Sequence, residues 1–497
     1  MKRQWRNSMV MLAAMAFMLG AFFLQGQERM VYAAGPDAGG TMAEAMEIQV
    51  NKTYSEVLDT EDDVDYFKFT STAHGYFQVQ LAHNSANDTS EGGWEVNVLN
   101  EKGEALTTGY GITKTWTSIV LPYADPGRIF YIQVEKYYSS AINSIYDLTV
   151  TQTASADWES EPNETIAAAN PIEVNHTYHG ITINSRDTDY FQFKTNVHGY
   201  FQVTLAHSAE NTASEGGWQV SVLNEKGEAL TTGYGITKNW TSVILPYAKP
   251  GRVFYIQIGE YYSDAVKSVY DLKVVQKAAA NWESEPNGTA KAATSIKSGK
   301  TYHGITGARG DEDFYKLNIP ASGKISVKLS SSDTNQISDI GSGWEVVVYD
   351  RKLNTVAGLN GIAAEKAFSL DVKKGIYYIK VKGTYDSSAV FCRYALSANF
   401  VKAPAKPKIS SVKAGKRTAT VKWKKIQGVN GYYVYRSAFK KSGYKKVKTL
   451  KSASAVSYTN KKLKSGRTYY YRIAAYKKGK GMTVISPYSA VKSVKVK

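Results

Sequence analysis

Tyr200-Phe201-Gln202-Val203-Thr204-Leu205 places an apolar side chain at every second position. Alternate side chains of an extended strand point to opposite faces, so Phe201, Val203 and Leu205 share one face. The runs 218–222 and 254–258 alternate in the same way, and Gly216-Gly217 and Pro250-Gly251 supply turns between runs. Short alternating strands separated by turns at roughly ten-residue spacing predict an antiparallel β-sandwich.

The segment Asp63-Val64-Asp65-Tyr66-Phe67 shows that this sandwich is repeated. It returns as Asp187-Thr188-Asp189-Tyr190-Phe191 after 124 residues, and as Asp311-Glu312-Asp313-Phe314-Tyr315 after a further 124. A period of this length corresponds to a whole domain and not to a solenoid unit. The sequence therefore predicts an all-β chain of tandem sandwiches, with repeat one at 35–153, repeat two at 154–277 and repeat three at 278–402.

The first 34 residues have the pattern of a secretory signal peptide. Basic residues at Lys2, Arg3 and Arg6 precede an apolar run, and Val31-Tyr32-Ala33 offers a small-residue cleavage site. The apolar run is short for a membrane span, and no other segment is long enough, so we predict a secreted protein without a transmembrane segment. The single cysteine, Cys392, lies on the strand parity of Tyr394 and predicts a buried thiol.

Residues 404–497 differ from the repeats in charge. They contain 26 lysines and arginines and no aspartate or glutamate, whereas the whole chain has a formal net charge of +17. The repeats therefore carry a net negative charge, and the C-terminal domain a strong positive one. Lysine dominates, which gives a diffuse positive field and no bidentate base recognition. Together with export, this favours anionic cell-wall polymers or membrane surfaces over nucleic acid as partners; a simply solvated basic face is the alternative.

Acidic side chains surround a proline at the start of two repeats. Glu159-Ser160-Glu161-Pro162-Asn163-Glu164-Thr165 recurs as Glu283-Ser284-Glu285-Pro286-Asn287-Gly288-Thr289. Proline favours extended geometry before it, so the segment cannot place its carboxylates on a helix face. Carboxylates and an amide carbonyl are the hard oxygen ligands that Ca²⁺ collects. A solvated acidic linker between domains is the other interpretation of the same residues.

The three repeats resemble the bacterial pre-peptidase C-terminal domain, which is similar to the collagen-binding domains of clostridial collagenases. The Glu-x-Glu-Pro-Asn linker, the Asp-x-Asp-Tyr-Phe strand entry and the closing Tyr270-x-Leu272-x-Val274 carry the resemblance over about 36–402. It implies jelly-roll-like β-sandwiches that accompany secreted hydrolases and, in some members, hold Ca²⁺. Carried over, the calcium ligands would be Glu159, Glu161, Asn163, Glu164, Asp187 and Asp189 in repeat two, and Glu283, Glu285, Asn287, Asp311 and Asp313 in repeat three.

Both ends of the repeat series depart from this pattern. In repeat three, Gly288 replaces the fourth linker ligand. In repeat one, the linker reads Gly35-Pro36-Asp37-Ala38-Gly39-Gly40-Thr41, so that only Asp37 remains beside Asp63 and Asp65. We therefore expect Ca²⁺ in repeats two and three, and a reduced ligand set in repeat one.

The C-terminal domain, 404–497, resembles a fibronectin type III domain over nearly its full length. Trp423 stands where such domains place a tryptophan on the second strand, and 431–436 matches the third strand. The segment around Tyr469 matches the tyrosine corner. The resemblance implies a fourth β-sandwich and by itself no function.

Catalytic motifs are missing from the sequence, and the aromatic residues offer a binding surface instead. No His-Glu-x-x-His, Gly-x-Ser-x-Gly or Cys-His arrangement is present, and four domains leave no room for a catalytic one, so we predict that the chain is not an enzyme.

The aromatic residues fall into two groups by their place in the alternating pattern. Trp94, Trp218 and Trp344 stand at positions that face the cores. Trp116 and Trp240 fit the alternation less well. With Tyr110, Tyr234 and the pairs Tyr137-Tyr138 and Tyr261-Tyr262, they predict an exposed ligand-binding surface in repeats one and two.

These patterns support one main functional hypothesis. The chain is expected to be a secreted, non-catalytic bacterial surface protein whose modules bind an extracellular polysaccharide or fibrous protein, with the basic domain retaining it at the cell wall. A structural spacer whose modules bind only calcium and one another, or an accessory subunit of a secreted hydrolase, is the alternative.

Overall fold

The computed structural model describes residues 38–58, 60, 62–83, 93–138, 145–184, 186–207, 217–261, 268–306, 310–331, 343–384 and 392–497. The signal-peptide segment and Asp37 lie outside these ranges. The described chain is all-β and forms tandem sandwiches, as the alternation predicts. It divides into two compact units, 1–193 with 203–242 and 253–274, and 194–202 with 243–252 and 275–497.

Repeat one consists of two facing sheets. The first has the order β1-β3-β8-β5-β6 and the second β2-β9-β4-β7. The strands are β1 (Met46–Glu47), β2 (Thr53–Val57), β3 (Val64–Thr70), β4 (Gly75–His83), β5 (Trp94–Leu99), β6 (Ala105–Ile112), β7 (Thr115–Thr117), β8 (Ile129–Lys136) and β9 (Ile145–Ala154).

Repeat two copies this arrangement with the orders β10-β12-β18-β14-β15 and β11-β19-β13-β16, and β17 also pairs with β13. A short 3₁₀ helix, Ile166–Ala168, follows its linker and is capped by the Thr165 side chain. The strands are β10 (Asn170–Ile172), β11 (Thr177–Ile181), β12 (Thr188–Lys194), β13 (Gly199–His207), β14 (Trp218–Leu223), β15 (Ala229–Ile236), β16 (Trp240–Thr241), β17 (Leu245–Ala248), β18 (Val253–Glu260) and β19 (Val269–Ala278).

Repeat three keeps the same topology, with the orders β20-β22-β27-β24-β25 and β21-β28-β23-β26. The strands are β20 (Thr294–Ile296), β21 (Thr301–Ile305), β22 (Glu312–Ile319), β23 (Gly323–Ser331), β24 (Trp344–Tyr349), β25 (Thr355–Ile362), β26 (Glu365–Val372), β27 (Gly375–Gly383) and β28 (Arg393–Lys402).

The C-terminal domain forms a three-stranded sheet, β29-β30-β33, and a second sheet, β32-β31-β34-β35, in which β36 also pairs with β34. The Tyr469 hydroxyl accepts a hydrogen bond from the Lys464 backbone N–H at 3.2 Å, which is the tyrosine-corner contact that the sequence predicts. The strands are β29 (Ile409–Gly415), β30 (Thr418–Trp423), β31 (Gly431–Ser437), β32 (Lys445–Leu450), β33 (Ser457–Asn460), β34 (Thr468–Gly479), β35 (Met482–Ile485) and β36 (Lys492–Lys495).

The cores contain the residues that strand parity selects. Trp94, Trp218 and Trp344 are buried, as are Trp423 and the thiol of Cys392. Because these side chains line the inner faces of the sandwiches, they are packing residues. Their burial leaves the strand ends and the linkers as the places where polar side chains gather.

The first strand of each repeat is paired in a way that alternation alone does not predict. β1, β10 and β20 run parallel to β3, β12 and β22, whereas the other pairs described are antiparallel. In repeat two, Asn170 pairs with Phe191 in this parallel register. The parallel edge strand directs the linker before it toward the start of β12, where the Asp-x-Asp segment lies.

Candidate metal centres

The linker of repeat two lies against the edge of its own sandwich. The Glu159 N–H donates to the His179 carbonyl at 2.9 Å, and the Tyr190 N–H donates to the Asn163 carbonyl at 3.2 Å. The linker is therefore fixed at one end to β11 and at the other end to β12. The peptide bond between Glu161 and Pro162 is cis, as is that between Glu285 and Pro286.

This path brings the predicted ligands of repeat two together. Oxygen atoms of Glu159, Glu161 and Asp189 lie within 4.8 Å of one another, and so do oxygen atoms of Glu161, Glu164 and Asp187. Glu164 is exposed, whereas the other four carboxylates are buried. Two adjoining oxygen clusters therefore share Glu161.

Repeat three contains one such cluster. Oxygen atoms of Glu283, Glu285 and Asp313 lie within 4.8 Å of one another, and all three residues are buried. Asp311 is half-buried, and its charge helps to raise the pKa of Glu285. Gly288 takes the place of Glu164, which accounts for the absence of a second cluster among the described residues of repeat three.

Hydrogen bonds from the sandwich and from the linker itself orient the central carboxylates of repeat two. Glu159 Oε1 accepts from the Ile181 N–H at 2.7 Å, and Glu161 Oε2 accepts from the Asn163 N–H at 3.0 Å. The Tyr270 hydroxyl lies 3.0 Å from Glu159 Oε2 and contacts Asp189 Oδ2. Since a phenol has one proton, it can donate to only one of these two oxygens at a time.

Repeat three uses two phenols for the same purpose. The Tyr394 hydroxyl donates to Asp313 Oδ2 at 2.5 Å, and the Tyr315 hydroxyl donates to Glu283 Oε2 at 3.0 Å. The two hydroxyls are 2.7 Å apart. Tyr315 stands where repeat two has Phe191, so the third repeat adds a phenol to its carboxylate cluster.

Five oxygens of the predicted ligands are buried without a hydrogen-bond partner. They are Glu161 Oε1, Asp189 Oδ1, Glu285 Oε1, Asn287 Oδ1 and Asp313 Oδ1. Leaving a buried polar atom unpaired costs about 1–3 kcal/mol, and more for a charged one. Native proteins leave few such atoms, and five at two equivalent linkers fit an oxygen-ligated cation. The residues present therefore suit Ca²⁺.

The carboxylates repel one another's negative charge and are removed from water. Burial raises the pKa of Glu159 and of Glu283 to about 8, and it raises that of Glu285 to about 7 and that of Asp187 to about 6. Burial and the neighbouring carboxylates also raise the pKa values of Glu161, Asp189 and Asp313. A divalent cation would reverse these effects, because it favours the ionised form of every ligand.

Repeat one has a reduced version of this arrangement. Asp65 is buried and accepts from the Tyr146 hydroxyl, and Gly39 replaces Asn163. The Tyr66 N–H donates to the Gly39 carbonyl at 3.0 Å, which confirms the alignment of the linker. Asp37 lies outside the described residues, and those that are described contain no carboxylate triad in this repeat.

The four aromatic residues predicted to bind a ligand fall into two environments. Tyr110 and Tyr234 are 63% and 62% exposed. Trp116 is half-buried against the core, and Trp240 is half-buried as well. Their rings lie on Gly109 and Gly233, where a Cβ atom would come within 2.4 Å of the indole. The structure therefore groups each exposed tyrosine with other tyrosines and not with the tryptophan.

The exposed tyrosines form small clusters on repeats one and two. The ring of Tyr110 lies 5.9 Å from that of Tyr137, which contacts Tyr138 at 4.7 Å. In repeat two, Tyr234 lies 5.4 Å from Tyr261. Repeat three has Asn360 at the position of Tyr110, one residue before Gly361. We call these clusters the tyrosine faces.

Sequence reasoning missed the part played by Tyr270 and Tyr394 in the carboxylate clusters. Alternation identifies both as core residues, and both are indeed buried. Their hydroxyls, however, reach the carboxylates from the opposite sheet. The available signal was the recurrence of tyrosine at 146, 270 and 394, two residues before each Leu-x-Val or Leu-x-Ala strand.

Comparison with known proteins gives short or partial similarities. No family model matches the chain. A Kelch domain-containing protein of Sulfurisphaera tokodaii is 41% identical over 73 residues, which are 15% of this chain and 10% of that protein. The match thus spans about a tenth of the length of that curated relative.

Three solved structures illustrate the structural similarities. The pre-peptidase C-terminal domain of a Bacillus anthracis collagenase is 22% identical, with 22% of this chain and 94% of that one covered and a TM-score of 0.18. A Fn3-like protein from Clostridium thermocellum is 24% identical, with 19% and 91% covered and a TM-score of 0.16. A β-1,2-glucanase from Parabacteroides distasonis is 14% identical, with 39% and 32% covered and a TM-score of 0.17. Among the described residues, no helix has the length and apolarity to cross a bilayer.

Proposed function

We propose that this chain is a secreted, non-catalytic bacterial surface protein. Its second and third repeats bind Ca²⁺, its tyrosine faces bind an extracellular polymer, and its basic domain retains it at the anionic envelope. The observation that carries the metal assignment is the set of buried oxygens without partners in two equivalent linkers. In repeat two, Glu159, Glu161, Asn163, Glu164, Asp187 and Asp189 would hold the ion; in repeat three, Glu283, Glu285, Asn287, Asp311 and Asp313 would do so.

Calcium would supply positive charge that offsets the repulsion among buried carboxylates. The chain's own contribution is to exclude water and to hold Glu161 by one oxygen, so that its other oxygen, Oε1, would face the ion. Since the ligands come from the linker and from the start of a strand, the ion would tie these two segments together. Calcium binding is then a stabilising element of an exported chain whose single cysteine cannot form an internal disulfide.

Differential melting tests the metal assignment. A ligand at about 100 times its dissociation constant stabilises the folded state by roughly 2.7 kcal/mol per site. We expect calorimetry in calcium and in chelator to show higher melting temperatures with calcium for repeats two and three, and little change for repeat one. Equal melting of repeat two under both conditions would refute the calcium site.

Polymer binding is proposed from the tyrosine faces. Exposed aromatic rings provide rigid contact area at low entropic cost and stack on sugar rings or on apolar parts of a fibrous protein. We expect the protein to sediment with an insoluble polysaccharide, and the triple variant Tyr110→Ala, Tyr138→Ala and Tyr234→Ala, which alters both tyrosine faces, to lose most of this binding. Val356→Ala, which alters an exposed apolar residue of repeat three, is the control. Unchanged sedimentation of the tyrosine variant would exclude these faces; binding to collagen alone would identify a fibrous protein as the polymer.

A structural spacer is the second candidate, and repeat three favours it. That repeat has the buried carboxylate cluster but carries Asn360 where repeat one has Tyr110. In this repeat, a bound metal would make the array of repeats more rigid, and it would do so without a tyrosine face nearby. If no polymer binds while calcium stabilises repeats two and three, the spacer function is the better description.

A further inference from the structure

The linker that carries the carboxylates of repeat two is also attached to repeat one. The Glu161 N–H donates to the Pro122 carbonyl at 3.2 Å, and Arg128 Nη1 donates to the Glu161 carbonyl. The two peptide groups that flank the Glu161 side chain are therefore both bonded to the preceding repeat. This side chain belongs to both oxygen clusters of repeat two.

The linker of repeat three is attached in the same way. The Glu285 N–H donates to the Pro246 carbonyl at 3.1 Å, and Arg252 Nη1 donates to the Glu285 carbonyl at 2.8 Å. Pro246 and Arg252 each follow their repeat-one counterparts by 124 residues. The attachment is thus a repeated feature of the chain.

Aromatic rings fix both arginines. The Arg128 guanidinium lies 5.3 Å from the ring centroid of Tyr123 and 5.4 Å from that of Phe130, and the Arg252 guanidinium lies 5.6 Å from that of Tyr247. A planar guanidinium held against rings keeps its donors in a fixed direction. Each arginine follows a Pro-Gly turn and immediately precedes the strand that pairs with the Asp-x-Asp strand.

Repeat three lacks this arginine. Ile376 pairs with Asn318 as Ile129 pairs with Thr70, which places Gly375 at the position of Arg128. The domain that follows repeat three contains no aspartate or glutamate and so has no carboxylate linker to attach. The arginine is therefore present before each of the two carboxylate linkers and absent where none follows.

We infer that Arg128 and Arg252 are positioning residues for the metal centre of the following repeat, so that each centre is completed by two repeats. The inference rests on the proposed binding of calcium. By holding the linker in its ligating conformation, the arginine removes part of the ordering cost that the ion would otherwise meet on binding. By linkage, the bound ion must strengthen the same attachment.

Because the arginine is positively charged, the direction in which calcium affinity changes on its removal tests this inference. A fixed positive charge near a cation site opposes binding of the cation, so its removal should tighten calcium binding if charge alone matters. If the arginine holds the linker in place, its removal should weaken binding. The two explanations predict changes in opposite directions.

The experiment uses the full mature chain with one centre inactivated. In an Asp313→Asn background, which leaves the centre of repeat two, Arg128→Met is compared with Arg252→Met by calorimetric titration with CaCl₂. We expect Arg128→Met to weaken binding by about tenfold or more, the effect of losing one charge-assisted hydrogen bond. Arg252→Met should leave this centre unchanged. In an Asp189→Asn background the roles of the two variants should be exchanged.

Hydrogen exchange of the linker amides supplies a second readout. Arg128→Met should speed exchange at the Glu161 amide in the absence of calcium, and calcium should slow it in the wild-type chain. Arg128→Lys, which keeps the charge and loses the planar fork, should behave like Arg128→Met. Arg351→Met removes an exposed arginine elsewhere and should change neither measurement.

The outcomes separate this inference from the proposed function. Calcium binding by the wild-type chain with unchanged or tighter binding in Arg128→Met would overturn the positioning role and leave the calcium sites intact. A lower melting temperature without a change in calcium affinity would mean that the arginine only packs between repeats. If the wild-type chain binds no calcium at all, both conclusions are wrong.

Discussion

At the scale of single residues, the carboxylates of repeat two act as one group. Glu161 and Asp189 each present one buried oxygen without a partner to the same small volume. Neither oxygen can be satisfied by moving alone, because the other oxygen of each side chain is already bonded, to the Asn163 N–H of the linker for Glu161 and to the Tyr270 hydroxyl for Asp189. Their energetic contributions should therefore depend on each other.

We predict that Glu161→Ala and Asp189→Ala are strongly non-additive in calcium. Either change should remove most of the stabilisation by calcium, since both side chains ligate one ion, so the double variant should lose much less than the sum. Thermal melting of the two single variants and the double variant measures this. Glu161→Ala combined with Asp313→Ala is the matched control, and it should be additive because the two residues belong to different centres.

The raised pKa values predict how stability depends on pH without metal. The pKa values of Glu159 and Glu285, about 8 and about 7, lie above the ordinary pKa of glutamate, so the folded state holds more protons than the unfolded state. Their contribution to stability is complete below the unfolded pKa and is lost as the pH rises through the folded pKa. In chelator, the melting temperature should therefore fall from about pH 5 to pH 8.

Calcium should flatten this dependence, because the bound ion keeps the carboxylates ionised in the folded state as well. Melting curves across the same pH range, with and without calcium, make the comparison. A metal-free melting temperature that rises over this range would contradict the protonation of the buried clusters.

At the scale of elements, the sequence predicts the strands well. It predicts poorly where single residues depart from the alternating pattern. Alternation correctly selects Phe201, Val203 and Leu205 as one buried face, and the structure brings carboxylates of the linker together with those of the Asp-x-Asp segment. Alternation does not predict that the Trp116 ring lies on Gly109, because it gives the face of a side chain and not which glycine of another strand leaves room for the ring. The role of Tyr270 is missed because alternation shows which face of the sheet a side chain occupies, and not which side chains its hydroxyl contacts across the core.

The glycine beneath Trp116 provides a test at this scale. Gly109→Ala would place a Cβ atom 2.4 Å from the indole, so the ring must move from its place against the core. We predict a loss of about 1–3 kcal/mol in the stability of repeat one, the usual cost of overpacking. Gly40→Ala, at a site with no atom within 4 Å, should have little effect. Calorimetry of the full chain compares the two variants, and equal transitions would contradict the packing of Trp116.

At the scale of the whole molecule, charge is divided between the repeats and the C-terminal domain. Within that domain the Arg472 guanidinium lies 3.7 Å from the ring centroid of Tyr488 and 4.3 Å from that of Tyr444. No carboxylate side chain exists in 404–497 to neutralise such groups. Within the domain, no negatively charged side chain therefore offsets the positive field.

We predict that the C-terminal domain gives salt-dependent retention on anionic cell walls. The Debye length falls from about 10 Å at 0.1 M to about 3 Å at 1 M salt, so binding should weaken steeply over this range. Wall sedimentation of the full mature chain, of a chain ending at Lys402 and of 404–497 alone measures the effect. Equal binding by the shortened chain, or binding by the domain that ignores salt, would contradict electrostatic retention.

The arginine that holds each linker gives the array a direction with two different ends. Repeat one has the arginine that bonds the linker of repeat two but a reduced linker of its own, whereas repeat three has a carboxylate linker and carries Gly375 at the arginine position. Among the three repeats, only repeat two has both a carboxylate linker and the arginine that bonds the linker of the next repeat. A gene duplication that copied residues 154–277 would copy both the arginine and the carboxylate linker, so each new copy would form the same junction with its neighbours. Copies could then be added between repeats one and three while those two repeats stay unchanged.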